Sequence, residues 1–235
     1  FDEEASALPY KMTQGYRHEQ AKGYIDLGLF ESYEDIRNSP KQAFTNPDGT
    51  ISHPMPGDIK YKDINGDGVI NNNDIVAIGA TRVPSLIYGV GMSATWRGFD
   101  FNVHFQGAGK SSYFINGPAV YPFSETRFGN TLPWGNILTD LVGNYWSERN
   151  PDPNAKYPRL SYGGNGNNYQ NSTYWLQNGA YLRFKTLEIG YSVPKKFVNR
   201  MHINNIRIHI VGSNLFVWDS LKLWDPELAS GDGMK

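Results

Sequence analysis

The sequence reads as all-β: antiparallel strands forming part of a large transmembrane β-barrel with long extracellular loops. Three observations lead there. Two consecutive segments alternate apolar and polar residues at period two over unusual lengths. The composition is rich in Tyr (15), Phe (12) and Gly (25), while long apolar runs are missing. The turn between the two alternating segments is short, whereas the connections on the other side are very long.

In order along the chain, residues 1–22 are polar and irregular, and residues 23–30 read as a short strand. Ser32 with Asp35 predicts a capped helical turn that stops near Pro40. A Pro- and Gly-rich loop fills 41–58.

Next comes the strongest local motif, Asp63-Ile64-Asn65-Gly66-Asp67-Gly68-Val69-Ile70-Asn71-Asn72-Asn73-Asp74. Oxygen-bearing side chains stand at loop positions 1, 3, 5, 9 and 12, with Gly68 at position 6. Calcium is a hard cation that takes several oxygens at once, and this spacing wraps one loop around it. The predicted Ca2+ ligands are Asp63, Asn65, Asp67, the Val69 carbonyl, Asn71 and Asp74, with Ile70 anchoring the loop on apolar neighbours. Asp74 replaces the usual Glu, and its shorter arm predicts a weaker or structural site. An Asx-rich turn without metal is the alternative. The flank 59–62 reads as extended and not as a helix, which argues against a true EF-hand. After the loop, 75–79 is expected to begin as a helical turn capped by Asp74.

The hairpin follows. Leu86, Tyr88, Val90, Met92, Ala94 and Trp96 share one parity, and Phe99, Phe101, Val103 and Phe105 continue it after Arg97-Gly98. Asp100, Asn102, His104 and Gln106 occupy the other face, where Asp100, like Glu188, is expected to be solvated. A long connection, 107–173, holds a predicted brief helix at 135–142 and many aromatics. Trp134, Trp146, Tyr162 and Trp175 are candidates to stack on sugar rings; packing of the loop is the commoner use of such side chains. A third strand, 181–193, switches parity near Lys185-Thr186, which predicts a bulge. A fourth runs from Ile206 to about Trp218. The segmentation is 1–85 (loop region with the calcium loop at 63–74), 86–106 (wall hairpin), 107–175 (surface loop) and 176–235 (last strands and terminal loop).

The exclusions are clear. Charge is balanced, 22 basic against 23 acidic residues, so no nucleic-acid partner is indicated. Cysteine is absent, which removes disulfides and thiolate metal sites. No carboxylate pair, nucleophile elbow or phosphate loop appears, so no enzyme is expected. Alternation alone fits either a barrel, apolar face to lipid, or a secreted calcium-stabilised β-sandwich that binds carbohydrate. Strand length and aromatics near strand ends favour the barrel.

Residues 57–70 closely resemble a segment of the SusC/RagA family of TonB-dependent outer-membrane transporters of Bacteroidetes. The order of motifs continues to match: Trp96-Arg97-Gly98-Phe99-Asp100, Phe105-Gln106-Gly107, Tyr181-Leu182-Arg183-Phe184, Gly190-Tyr191-Ser192-Val193-Pro194 and Gly212-Ser213-Asn214-Leu215-Phe216. The resemblance implies the C-terminal part of a barrel of about 22 strands in the Gram-negative outer membrane. It also implies import of glycans or peptides, a SusD-like surface lipoprotein as partner, and energy from TonB through an N-terminal part outside this sequence. The chain is expected to be a fragment of such a protein.

Overall fold

The structure is a computed structural model that describes residues 8–46, 48–115, 120–123, 137–201, 203–221 and 225–227. It divides into two units: Phe1–Arg82 with Ser112–Gln177 and Leu228–Lys235, and Val83–Ser111 with Asn178–Glu227.

The second unit is one antiparallel sheet of four long strands, Leu86–Trp96, Phe99–Gly109, Tyr181–Ser192 and Arg207–Asp219, adjacent in the chain's own order. They run 11, 11, 12 and 13 residues, at or above the roughly 9–11 residues that a tilted strand needs to cross a bilayer. Arg97 (φ 49°) and Gly98 (φ 90°) form the two-residue turn with both φ positive, the geometry whose twist matches the flanking strands. Trp96 therefore faces Phe99, and the register runs unbroken to Leu86 opposite Gly109. The Phe99 strand continues three residues beyond the expected end at Gln106, because Gly107 and Gly109 carry no side chains that alternation could register.

The expected bulge is present. Register slips between Phe184 and Thr186 against both neighbouring strands. Its effect is to keep one face apolar through the parity switch: Phe184 lies opposite Phe105, their rings stacked at 4.7 Å, while Leu187 lies opposite Val103. The fourth strand adds Phe216, Ile210 and Ile208 to the same face. This face is open along the two outer strands, where Val90 is 63 % and Ile210 76 % exposed, while Val103 in its middle is buried by its neighbours. A sandwich would bury these residues under a second sheet. On the opposite face Asp100 and Glu188 are not simply solvated as expected. Arg207 bridges them, its Nε donating to Asp100 Oδ1 at 3.1 Å and its Nη2 to Glu188 Oε1 at 2.6 Å.

The first unit consists of short paired strands around an aromatic core. Gln20–Gly23 pairs with Val76–Thr81, Asp26–Leu29 with Ile59–Tyr61, Lys41–Gln42 with Val69–Ile70 (parallel), and Phe44–Thr45 with Ile51–Ser52. Tyr24, Phe44 and Tyr61 meet with ring centroids 5.2–5.7 Å apart. Ser32 caps the helix Tyr33–Arg37 by accepting from the Asp35 N–H at 3.2 Å. Two expectations are corrected. Residues 76–81 form a strand, and the helical turn precedes them at Asn72–Asp74, with Asn71 as its cap. The described part of 135–142 makes turns rather than a helix, such as Leu141 N–H to the Leu138 carbonyl; Gly135 and Asn136 lie outside the described residues.

Candidate metal centre and loop cleft

The Asp63–Asp74 loop leaves the buried strand Ile59–Tyr61 and returns through Val69–Ile70, whose Ile70 side chain is buried as the motif requires. Inside the loop the acceptors are organised by backbone donors. Asp63 accepts from Gly66 N–H (2.6 Å) and Gly68 N–H (2.8 Å). Asn65 Oδ1 accepts from Asp67 N–H at 3.0 Å, and Asp67 Oδ1 from Val69 N–H at 2.8 Å. Asp74 is wholly buried, accepting from Ile64 N–H at 2.9 Å and Asn71 N–H at 2.8 Å. That last pair of bonds closes position 12 onto positions 2 and 9. Partial burial would raise the Asp63 carboxyl, but the N–H groups of Gly68, Gly66, Asp67 and Asn65 outweigh it and hold it below the ordinary carboxylate range.

The donors are hard oxygens of the kind calcium selects. As they stand, the side chains are engaged within the loop, and among the described residues no group of three or more His, Asp or Glu is gathered in metal-holding geometry. Asn71 Oδ1 serves as the cap of the following turn, accepting from Asn73 N–H at 2.8 Å. Its Nδ2 points toward the Val69 carbonyl at 3.4 Å. Residues 10 and 11, which carried no motif, reach the far end of the loop: Tyr10 Oη donates to the Asn73 carbonyl (2.8 Å) and Lys11 Nζ to that of Asn72 (2.7 Å).

The strand that feeds the loop is held by a buried polar network that alternation could not register. Asp58 is fully buried and accepts from Asn168 Nδ2 (2.8 Å), Asn165 Nδ2 (3.1 Å), Arg159 Nη2 (3.2 Å) and Met55 N–H (2.8 Å). Arg159 Nε lies 2.7 Å from Asp58 Oδ1, at an angle too bent for a hydrogen bond. Gln42 bridges Ile59 and Tyr61 to Asn167. The Asn-Gly run at 165–168 therefore locks the long connection to the Ile59–Tyr61 strand. Its one sequence signal was a density of Asn and Gly, which reads as a plain turn.

The four aromatic candidates part company. Trp146 is 7 % exposed and Trp175 3 %. The Trp146 ring lies flat against Gly57, where an added Cβ would come within 2.2 Å of it. Trp175 Nε1 donates to the Asn168 carbonyl at 2.8 Å, and Tyr121 meets its ring edge-on. Both pack the core and offer no open face. Tyr162 is 78 % exposed, at a polar cleft. Trp134 lies outside the described residues.

No family model matches the chain. It is 27 % identical over 201 residues to TonB-dependent receptor P26 of Formosa agariphila, covering 86 % of this chain and 18 % of that receptor. It is 26 % identical over 204 residues to TonB-dependent receptor P3 of the same organism, with the same coverage. Among solved structures, the RagAB peptide transporter superposes with a TM-score of 0.61 at 16 % identity, over 90 % of this chain and 20 % of that one. The RagAB peptide importer in its closed-closed state gives 0.58 at 18 %, again over 90 % and 20 %. The chain thus spans about a fifth of the length of the proteins it matches, and these are receptors and transporters, not enzymes. In sequence it is similar to a stretch of two TonB-dependent receptors, and its fold is that of a stretch of the RagAB transporter.

Proposed function

We propose that this chain is wall and surface loop of a TonB-dependent outer-membrane transporter, which imports a glycan or peptide together with a SusD-like lipoprotein. The four-stranded sheet is wall, its apolar row turned to acyl chains and its Asp100–Glu188–Arg207 row turned to a wet lumen. The observation that carries this reading is the apolar face, continuous across four strands, preserved through a bulge and exposed along both outer strands. In water such a face would be a liability, because large exposed apolar patches drive association. In lipid it is what a barrel strand requires.

Because the chain contains no cysteine, single labels test this directly. Nitroxides on Val90→Cys and Ile210→Cys should be relaxed by oxygen dissolved in the bilayer, and those on His104→Cys and His209→Cys by an aqueous nickel chelate. Equal response of both rows to nickel would sink the reading.

Calcium held by Asp63, Asn65, Asp67, the Val69 carbonyl, Asn71 and Asp74 belongs to the same proposal. Support comes from the oxygen donor set and from the closure of Asp74 onto Ile64 and Asn71. An ion there would offset part of the backbone entropy lost in ordering a loop. Calcium should protect residues 63–74 from protease, and the double substitution Asp63→Ala with Asp67→Ala should abolish that protection. Equal protection in calcium and in chelator excludes the ion.

A further inference from the structure

We propose that the short-turn end of the four-stranded sheet binds the phosphate headgroups of an anionic glycerophospholipid; this rests on the wall reading and names the lipid that meets it. A row of side chains crosses the sheet at this end. Trp96 lies opposite Phe99, Phe99 opposite Tyr191, and Tyr191 opposite Ile208. The Phe99 and Tyr191 rings meet at 4.6 Å, and Trp96, Phe99 and Ile208 are exposed. The row continues the apolar face that holds Val90 and Ile210. Amphipathic rings in such a position settle at the headgroup level of a bilayer.

Cations stand just beyond that row. Arg97 is in the hairpin turn, its guanidinium 5.1 Å from the centre of the Trp96 ring. Lys195, Lys196 and Arg200 lie in the connection between the third and fourth strands, which forms a helical turn, Lys195–Val198, and a tighter one, Asn199–Met201. Ser192 N–H donates to the Gly98 carbonyl at 2.7 Å, which holds the start of this connection against the hairpin turn. Val198 is buried and anchors the helical turn, while Phe197, Arg97, Lys195, Lys196 and Arg200 are exposed.

No carboxylate offsets this charge. The sequence has no Asp or Glu between Glu188 and Asp219, nor between Asp74 and Asp100. Asp100 and Glu188, which stand nearest in register, are both taken by Arg207. Among the described residues none of the four cations makes an ion pair. Long Lys and Arg side chains reach outward to phosphates while their stems cover apolar surface. Each such cation strengthens attachment to an anionic lipid surface by about fivefold. A soluble acidic protein would match the charge, but the cations border exposed rings that run on into the lipid-facing row.

The test is native mass spectrometry of the full chain, released from detergent that carries equal amounts of phosphatidylglycerol and phosphatidylcholine with the same acyl chains. Phosphatidylglycerol adducts should exceed phosphatidylcholine adducts by about tenfold or more. The triple substitution Lys195→Gln, Lys196→Gln, Arg200→Gln should bring the two lipids near parity, and the charge-retaining pair Lys195→Arg, Lys196→Arg should keep the preference. Removing the same charge from the first unit, with Arg37→Gln, Lys41→Gln and Lys62→Gln, should leave it unchanged. Excess inorganic phosphate, matched in ionic strength by chloride, should not displace the lipid. Equal binding of both lipids, a preference that survives the triple substitution, or one lost equally in the first-unit control overturns the proposal. So does displacement by free phosphate, or poly-glutamate that binds as tightly in the absence of lipid. If the nitroxide pattern on the sheet is intact when this test fails, the headgroup inference alone falls; loss of that pattern removes the wall reading itself.

Discussion

Asp58 is the residue on which the first unit depends most. It has no exposed surface and four donors converge on it, one of them a guanidinium. Removing one partner of a buried pair leaves the other charge uncompensated, at a cost of about 3–5 kcal/mol. Asp58→Ala should therefore lower stability by about 3 kcal/mol or more on that scale, and denaturant unfolding followed by Trp146 and Trp175 fluorescence would measure it. Asp35 makes a pH-dependent prediction. Desolvation would raise its carboxyl, but the Lys60 ammonium, 2.7 Å away, and the Glu31 N–H outweigh that and hold it below the ordinary value. A carboxyl depressed in the folded state contributes stability that is full above its unfolded pKa, about 3.9. That contribution fades as pH falls through the lower folded value. Protection of the Tyr33–Arg37 amides from hydrogen exchange should hold above about pH 5 and decline toward pH 2.

At the scale of the element, the hairpin turn is the tightest constraint. Gly98 sits at φ +90°, where side chains are strained, and an added Cβ would lie 3.0 Å from the Ser192 carbonyl. Gly98→Val should cost about 1–3 kcal/mol through that backbone conformation and slow assembly of the sheet. Refolding into micelles, followed by the heat-modifiable gel shift of barrels, would report it; unchanged refolding would show that the turn does not direct register. Strand length and parity in this hairpin were legible because alternating burial leaves a period-two trace. The third strand was harder, since its face changes parity at Lys185. Only pairing shows that Phe184 and Leu187 look the same way.

For the molecule as a whole, the issue is what the apolar face meets. A charge placed at the middle of that face should be costly only if the surroundings are hydrocarbon, by about 2–4 kcal/mol for Lys or Arg at the bilayer midplane. Val90→Lys and Ile210→Lys should each reduce the folded fraction in bilayers, while His104→Lys on the opposite row should be tolerated. If all three behave alike, the sheet is not facing lipid. The soluble sandwich anticipated the same alternation; among the described residues no second sheet covers Val90 or Ile210.

By itself the sequence determined the four long strands, the hairpin turn, the bulge and the oxygen spacing of the Asp63–Asp74 loop. Each of these is written in residues at most a dozen apart, where backbone periodicity and turn chemistry act. The tertiary structure alone decided which aromatics are free. Trp146 and Trp175 look as available as Tyr162 in the chain, yet Gly57 and Tyr121 cover them. It also turned an Asn-rich run into a buried lock on Asp58, more than 100 positions away. Such contacts depend on which segments meet in space, and no local pattern encodes that.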